Sequence, residues 1–284
     1  MIDLTPSPIA FSIGTFSIHW YGIAYAVGLA AAYLVIAHEA RWRGLDVRLL
    51  PNAMILVAAA ALVGGRLYHV IDQWQLYRDD PLKIVLPPYA GLGVYGGIIA
   101  GTITALLYAR WKRQPFLPWA DAVAPGLFVM QAIARWGNFF NQELYGSPTN
   151  LPWGIEIQCQ YRTQGYPCPP GSDPLATLGQ HFQPMFLYES LSGLIGALFL
   201  IWIARRFAGR LLPGDLLLVF FIWYGVVRFA VESLKADNWL FFGVPTAQIF
   251  AATTAVGAAI ILVVRHLASS RVEPPAAVTD PSGG

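Results

Sequence analysis

The chain has 284 residues, of which 56% are hydrophobic and only 12% are charged, whereas soluble domains carry about 25% charged residues. So few charges could not cover a water-facing surface, and the composition therefore argues against a soluble all-helical protein. The net charge of +2 is spread over short loops and offers nucleic acid no basic patch to bind.

Apolar segments of about 20 residues recur along the chain, and each is long enough to cross a hydrocarbon core of roughly 30 Å. They lie at about 16–38, 52–72, 93–111, 117–138, 185–206, 214–235 and 246–267. We therefore predict an all-α integral membrane protein with about seven transmembrane helices in a single domain over residues 1–269. No Lys or Arg precedes the first segment, so we expect a retained helix there and not a cleaved signal peptide.

The distribution of Lys and Arg between the loops predicts the orientation. Alternate loops and the tail carry eleven: Arg41, Arg43, Arg48, Arg110, Lys112, Arg113, Arg205, Arg206, Arg210, Arg265 and Arg271. The opposite loops carry four: Arg78, Lys83, Arg162 and Lys235. We therefore predict that the N-terminus and the long loop 139–184 between helices four and five lie outside the cell. The C-terminus is predicted to be cytoplasmic, with a disordered Pro-rich tail at 270–284.

The remaining three arginines, Arg66, Arg135 and Arg228, fall inside the predicted spans. A charge within the bilayer costs several kcal/mol, so each needs a partner or a task. With the predicted orientation all three lie toward the outer surface. Other polar residues are predicted to lie at the same depth in the membrane: His19, Tyr21, Tyr95, Asn138, Asn141, Glu143, Tyr188, Glu189 and Glu232. Six helices are thus predicted to supply polar groups to one membrane face.

The fourth span ends in the sequence ARWGNFFNQELYG, which places Arg135, two Asn and Glu143 at a membrane boundary. These residues could line a lipid head-group pocket in which the planar guanidinium of Arg135 binds phosphate. Alternatively, they form only a polar helix end that reaches the interface.

The sixth span places Tyr224, Arg228 and Glu232 four residues apart, on one helix face. Arg228 and Glu232 could be a purely structural pair, or Arg228 could share its charge between Glu232 and an anionic ligand. Three arginines against two or three carboxylates leave room for a phosphate.

The third span opens with the glycine-rich run GVYGGIIAG. Its glycines, Gly96 and Gly97 among them, permit close approach either of another helix or of a ligand. In the fifth span, an aromatic belt at the membrane surface would explain Tyr188 but not its neighbour Glu189.

The sequence contains no Ser–His–Asp pattern, and no Cys falls in a span, so the nucleophile of an enzyme of this kind is predicted to belong to its substrate. Cys159 and Cys168 fit neither a zinc site nor a CxxC redox pair. The five His show no ligand spacing, and we expect no metal. Because both Cys fall in the predicted outer loop, a structural disulfide is the favoured interpretation.

Several segments in order closely resemble the prolipoprotein diacylglyceryl transferases of bacteria. They are IHWYG from Ile18, GGRLYHV from Gly64, ARWGNFFNQELYG ending at Gly146, QPMFLYE from Gln183 and YGVVRFAVE from Tyr224. The third of them is similar to the family's signature, and the resemblance runs from about residue 9 to 267.

The resemblance implies seven helices, no metal or other cofactor, and a lateral opening to lipid in the bacterial inner membrane. It implies that the diacylglyceryl group of phosphatidylglycerol passes to the lipobox Cys thiol of a preprolipoprotein, releasing glycerol phosphate. The candidate catalytic residues are Arg135, Arg228, Glu143 and Tyr95. The candidate substrate-binding residues are His19, Tyr21, Arg66, Gly96, Gly97, Asn138, Asn141, Gly146, Tyr188, Glu189, Tyr224 and Glu232.

Two positions depart from the family pattern. Tyr95 stands where many relatives have a His before the Gly-Gly pair, and Gln183 stands where many have a His before Pro184. A phenol of pKa near 10 is a poor base at neutral pH. A thiol of pKa about 8.5 could instead attack as a thiolate once neighbouring Arg residues lower its pKa. Arg135 and Arg228 would then hold the charge on the leaving phosphate.

Other functions were weighed against this interpretation. A small-molecule transporter predicts polar groups at the membrane midplane and a route to the inner face, whereas the inner halves of spans one, five and seven are nearly all apolar. Another phospholipid head-group transferase, such as a phosphatidyl transferase, would need an acidic metal-binding cluster on the cytoplasmic side, and the sequence shows none. A receptor or scaffold would not need three Arg in its spans.

Overall fold

The computed structural model describes residues 4–85, 91–235 and 238–269; the tail predicted at 270–284 lies outside them. The described residues contain seven α-helices: α1 (Trp20–Trp42), α2 (Leu50–Asp72), α3 (Val94–Trp111), α4 (Phe116–Phe140), α5 (Met185–Arg206), α6 (Asp215–Glu232) and α7 (Thr246–Ser269). Each coincides with a predicted span to within a few residues, so the prediction of a mainly helical fold is confirmed.

Five of these helices, α1, α2, α4, α5 and α7, are long and apolar enough to cross a membrane. The other two, α3 and α6, have 18 residues each, and α6 carries three charged residues: Asp215, Arg228 and Glu232. An α-helix of 18 residues is about 27 Å long, slightly less than the hydrocarbon core. Seven membrane crossings therefore remain a prediction.

Three short pairs of antiparallel strands were not predicted: β1 (Ile9–Ile13) with β2 (Phe16–His19), β3 (Ile155–Glu156) with β4 (His181–Phe182), and β5 (Leu240–Phe241) with β6 (Val244–Pro245). The first hairpin corrects the start of the first span, because residues 16–19 form a strand and the helix begins at Trp20. Gly14, with a φ of +61°, allows the tight turn between β1 and β2.

The chain divides into two compact units, Ala37–Ala122 and Met1–Ile36 with Val123–Gly284. In the first unit, α2 and α3 pack through glycines. A Cβ at Gly96 would lie 2.2 Å from the carbonyl oxygen of Gly64, so no other residue permits this approach. The backbone N–H of Gly93 also donates to the carbonyl of Gly65, at 2.8 Å. The packing interpretation of the glycine run therefore accounts for Gly96.

In the second unit, small residues bring α4, α5, α6 and α7 close together. A Cβ at Gly193 of α5 would lie 2.9 Å from the carbonyl oxygen of Phe128 in α4, and one at Gly225 of α6 would lie 2.6 Å from that of Ala251 in α7. Phe128, buried among Ala197, Leu200 and Leu216, forms the core between α4, α5 and α6. Close packing of these helices sets the distances between their polar side chains.

The loop between α4 and α5 is an ordered part of the same unit. Cys159 and Cys168 form a disulfide, which confirms the favoured interpretation. Tyr145, Ile155, Ile157, Phe182 and Phe186 form its small core. Arg162 donates to the carbonyls of residues 157 and 177, and burial lowers the pKa of this guanidinium. The loop therefore packs onto the N-terminal end of α5 as a compact cap.

Candidate functional site

Four charged side chains from three helices of the second unit form one ion cluster. Glu189 of α5 receives Arg135 of α4 on one carboxylate oxygen and Arg228 of α6 on the other, the latter at 3.1 Å. Arg228 also pairs with Glu232, one turn later on the same face of α6. The predicted Arg228–Glu232 pair thus exists, but Glu189 joins it to Arg135. We call these four residues the arginine–glutamate cluster.

The two signs of charge in this cluster differ in burial. The carboxylate side chains of Glu189 and Glu232 are only 2% and 3% exposed, whereas those of Arg135 and Arg228 are 25% and 22% exposed. Lys235, which sequence reasoning placed only in a loop, lies 4.0 Å from Glu232 as a third cation. Buried carboxylates that orient partly exposed guanidinium groups leave N–H donors for an anion.

A strained turn after α4 presents Glu143. Its Oε1 accepts hydrogen bonds from the side-chain amides of Asn138, at 2.7 Å, and Asn141, at 3.4 Å. Asn138 in turn accepts from Arg135 at 3.4 Å. Both neighbours of Glu143 have positive φ, 52° for Gln142 and 58° for Leu144, an uncommon conformation for residues other than glycine. The strained backbone and the side-chain amides of Asn138 and Asn141 therefore set the orientation of the Glu143 carboxylate.

Gln142 holds this turn in place, a role that was not predicted from the sequence. Its side chain is almost fully buried and donates to the carbonyl of Pro6, at 3.1 Å, and to the side chain of Gln158, at 3.0 Å. Its carbonyl oxygen accepts from the backbone N–H of Gln158, at 2.9 Å. One amide thus ties the N-terminal segment and the α4–α5 loop to the turn that carries Glu143.

Gly146 lies where three segments meet. A Cβ there would lie 2.8 Å from the carbonyl oxygen of Leu234, just after α6. The backbone N–H of Gly146 donates to Gln183, and that of Ser147 donates to Leu234, both at 2.8 Å. The structure gives Gly146 a packing role in joining the α4–α5 loop to the end of α6, and its substrate-binding role stays a prediction.

The predicted tyrosines of this unit lie around the same helices. Tyr21 packs against Gly137 of α4, where a Cβ would lie 3.0 Å from its ring, and its hydroxyl donates to Tyr25. The hydroxyl of Tyr188 accepts from the indole N–H of Trp153 at 2.9 Å. His19 is exposed at the end of β2. Trp153 was missed, because only the folded loop brings it to Tyr188.

A small cavity lies beside the arginine–glutamate cluster, between α4, α5 and α6. Its lining residues are Phe128, Gln131, Glu189, Ser192, Trp223, Tyr224, Val227 and Arg228. The indole N–H of Trp223 donates to the hydroxyl of Ser192 at 3.0 Å. Tyr224 is therefore placed next to Arg228 as predicted, whereas Gln131 and Ser192 were missed as isolated polar residues in apolar runs.

The other predicted residues belong to the unit Ala37–Ala122. Arg66 donates to the carbonyls of Lys83, Ile84 and Gly91, at 2.7, 3.0 and 3.2 Å, and its guanidinium lies over the ring of Tyr77. Tyr95 is 61% exposed.

The ring of Tyr95 packs against Tyr68, and Gly97 lies against the backbone of Ala61. Roles for Arg66, Tyr95, Gly96 and Gly97 in the same site as Arg135 remain predictions. Within 4–85, 91–235 and 238–269, no group of three or more His, Cys, Asp or Glu is arranged to hold a metal ion.

These features define a class of protein: an α-helical chain with helices of membrane-crossing length and composition, in which buried carboxylates hold paired arginines. Comparison with known proteins gives the family. A family model described as prolipoprotein diacylglyceryl transferase matches residues 8–264, and the chain belongs to this family.

Curated proteins named phosphatidylglycerol–prolipoprotein diacylglyceryl transferase are similar to the chain over most of its length. The protein of Trichormus variabilis is 36% identical over 252 residues, which cover 88% of this chain and 86% of that protein. The protein of Listeria monocytogenes is 31% identical over 278 residues, or 97% and 95% of the two chains. That of Bifidobacterium longum is 38% identical over 247 residues, or 82% and 76%.

Proposed function

We propose that this chain transfers the diacylglyceryl group of phosphatidylglycerol to the lipobox Cys thiol of preprolipoproteins, the first step of lipoprotein maturation. The reaction forms a thioether and releases glycerol phosphate. Its main support is that the arginine–glutamate cluster, a set of oriented cationic donors, occurs in a chain that belongs to the prolipoprotein diacylglyceryl transferase family.

The cluster suits a phosphodiester because the carboxylates orient Arg135 and Arg228 without occupying all of their N–H donors. Glu189 and Glu232 balance the two guanidinium charges before substrate arrives, and they fix the planes of both groups. A phosphate can then receive the remaining N–H donors in the fork geometry that lysine cannot provide. Such donors act most strongly where negative charge develops, which here is the departing phosphate oxygen.

The nucleophile is the substrate thiol, and the donors that bind the phosphate also lower the pKa of a thiol brought next to them. Asn138, Asn141 and Glu143 lie at the end of α4, beyond Arg135, and suit the polar glycerol head group. Tyr224 lines the cavity beside the cluster. The acyl chains would extend along the apolar helices.

We propose further that all seven helices cross the bacterial inner membrane, with the α4–α5 loop outside and the C-terminus inside. The excess of Lys and Arg in the opposite loops supports this orientation. The β5–β6 hairpin, which directly precedes α7, exposes Trp239 by 84% and Phe242 by 92%. Aromatic residues of this kind concentrate at membrane surfaces.

Cysteine labelling tests the orientation, because both native cysteines are bonded to each other. An introduced Leu175→Cys in the α4–α5 loop should react with an impermeant maleimide on intact cells. Ala208→Cys, between α5 and α6, should react only after the cells are opened. The reverse pattern would overturn the proposed topology.

The function itself is tested by incubating the purified protein with phosphatidylglycerol and a lipobox peptide, and then measuring the mass of the peptide. We expect a diacylglyceryl group on the Cys and no phosphorus. A phosphorus-containing adduct would identify another head-group transferase. An unmodified peptide, together with phosphatidylglycerol-independent uptake of a solute into proteoliposomes, would favour a transporter.

A further inference from the structure

Three carboxylates lie at or next to the proposed phosphate site, and they differ in what their oxygens contact. Glu189 uses both oxygens to hold Arg135 and Arg228. Glu232 pairs with Arg228 and lies near Lys235. Both are buried, and protonation of either would release an arginine from the cluster. These two carboxylates are therefore unsuited to accept a proton during turnover.

The third carboxylate, Glu143, is exposed, and only one of its two oxygens accepts hydrogen bonds. Both hydrogen bonds from Asn138 and Asn141 end on Oε1. Within the described residues, no hydrogen bond or ion pair engages its Oε2. Two amides thus fix the direction of the carboxylate while one oxygen stays open to a ligand.

Glu143 is also coupled to the proposed phosphate site. Asn138, which donates to Glu143, accepts from Arg135. The ring of Tyr21 packs against Gly137 of α4, the residue that precedes Asn138. Asn138 is thus the single side chain that links Arg135 to Glu143, so a substrate bound at Arg135 would lie near Glu143.

We infer that Oε2 of Glu143 accepts the proton of the lipobox thiol during diacylglyceryl transfer. This inference rests on the proposed function. It assigns the proton acceptor that attack by a thiol requires to a residue next to the arginine–glutamate cluster.

The proton and electron balance closes without any further reactant. As the S–H proton moves to Glu143, the sulfur lone pair attacks the glyceryl carbon that bears the phosphate. The C–O bond breaks, and its electron pair stays on the phosphate oxygen, held by Arg135 and Arg228. Glu143 then returns its proton to the released glycerol phosphate.

The changes of charge during the reaction suit both transfers. The sulfur holds its proton less tightly as its lone pair forms the S–C bond, so the carboxylate accepts that proton while Arg135 stabilises the charge that develops on the phosphate. The released phosphate monoester carries one more negative charge than the diester did. It therefore recovers the proton and leaves Glu143 ready for the next turnover.

The test compares two nucleophiles in the purified full-length protein with phosphatidylglycerol vesicles: a lipobox peptide with Cys and the same peptide with selenocysteine. A selenol is ionised at neutral pH and needs no proton acceptor. Glu143→Gln keeps the shape and the acceptor oxygen for Asn138 and Asn141 but removes the base. Glu143→Asp keeps the base, and Glu156→Gln, in β3 of the same loop, is the matched control.

For the Cys peptide, Glu143→Gln should lower kcat by about 10²- to 10⁴-fold, the usual contribution of general-base catalysis, with KM for both substrates changed less than about threefold. For the selenocysteine peptide the loss of kcat should shrink to within about tenfold. Glu143→Asp should recover part of the Cys-peptide rate, and Glu156→Gln should match the wild type.

Equal losses with both peptides, or wild-type kcat in Glu143→Gln, would overturn the role of Glu143. Selective rescue of His19→Gln by the selenocysteine peptide would move the role to His19. A wild-type protein that forms no thioether in this assay would instead refute the proposed function. Far-UV circular dichroism and the melting temperature of each variant confirm that folded protein is compared.

Discussion

Arg66 and the pair Arg135 and Arg228 all lie within predicted spans, yet their surroundings differ. Arg66 donates to three backbone carbonyls, those of Lys83, Ile84 and Gly91. Arg135 and Arg228 instead meet carboxylates, which neutralise their charge and leave part of each guanidinium exposed. The hydrogen bonds of Arg66 to Lys83, Ile84 and Gly91 end on neutral carbonyls, whereas Arg135 and Arg228 form a charged framework that another anion can join.

An arginine in an apolar helix is therefore not by itself evidence of a ligand site. Arg66, for example, donates to three backbone carbonyls with one side chain, and two of these carbonyls belong to the exposed residues Lys83 and Gly91. A binding arginine should have counter-charges that are more buried than itself, as Glu189 and Glu232 are. This contrast predicts different consequences for the same substitution in the two regions.

The largest effect is expected from Arg135→Lys and Arg228→Lys. Each keeps the charge but loses the planar fork on the phosphate, so turnover should fall by about 10²- to 10³-fold, the cost of losing one transition-state donor. Rates of peptide diacylglyceryl transfer measure this. Near-normal turnover in both folded variants would remove the phosphate-site assignment.

Tyr95→Phe should have the next largest effect. Tyr95 belongs to the same unit as Arg66, so this variant tests whether that unit takes part in the chemistry. If the hydroxyl only hydrogen-bonds the head group, turnover should fall about 10- to 100-fold at every pH. The pH–rate profile between about pH 6 and 9 should keep its shape. Loss of its alkaline-rising limb would show that Tyr95 is a base.

A smaller effect on turnover is expected from Arg66→Lys. An ammonium cannot reach three separated carbonyls as a guanidinium does, so the free energy of unfolding should fall by about 1–3 kcal/mol. Turnover of the folded fraction should stay within about threefold of the wild type. A rise in KM for phosphatidylglycerol comparable with that of Arg228→Lys would show that Arg66 also binds substrate.

The smallest effect on turnover is expected from the double variant Cys159→Ser with Cys168→Ser. The disulfide closes a short loop, so its loss should cost at most about 3 kcal/mol of stability. Transfer activity should be retained because neither sulfur contacts the arginine–glutamate cluster. An inactive but folded double variant would show that the loop positions the substrate directly.

Helix positions were largely predictable because most apolar runs are bounded by charged, Pro or Gly residues, and the observed helices begin and end within a few residues of the predicted bounds. The Arg228–Glu232 pair was predictable for the same local reason, since residues four apart share a helix face. The strand Phe16–His19 was not predictable, because an apolar strand and the start of an apolar helix have similar compositions.

Contacts between side chains of different helices could not be predicted from the sequence. Whether Glu189 meets Arg135, Arg228 or neither depends on the rotation of α4, α5 and α6 about their own axes, which packing at Gly193 and Phe128 decides. The three carbonyl partners of Arg66 and the two chain segments held by Gln142 are likewise products of loop conformation. A single sequence contains no periodic signal for such contacts.

The most direct test of the central claim is equilibrium binding of a short-chain phosphatidylglycerol to the purified wild type, to Arg66→Lys and to the double variant Arg135→Lys with Arg228→Lys. Kd for Arg66→Lys should stay within about threefold of the wild type. The double variant should bind at least about 30-fold more weakly, as two lost charge-assisted hydrogen bonds require. Equal weakening in both variants, or unchanged binding in the double variant, would contradict the assignment of Arg135 and Arg228 as the phosphate site.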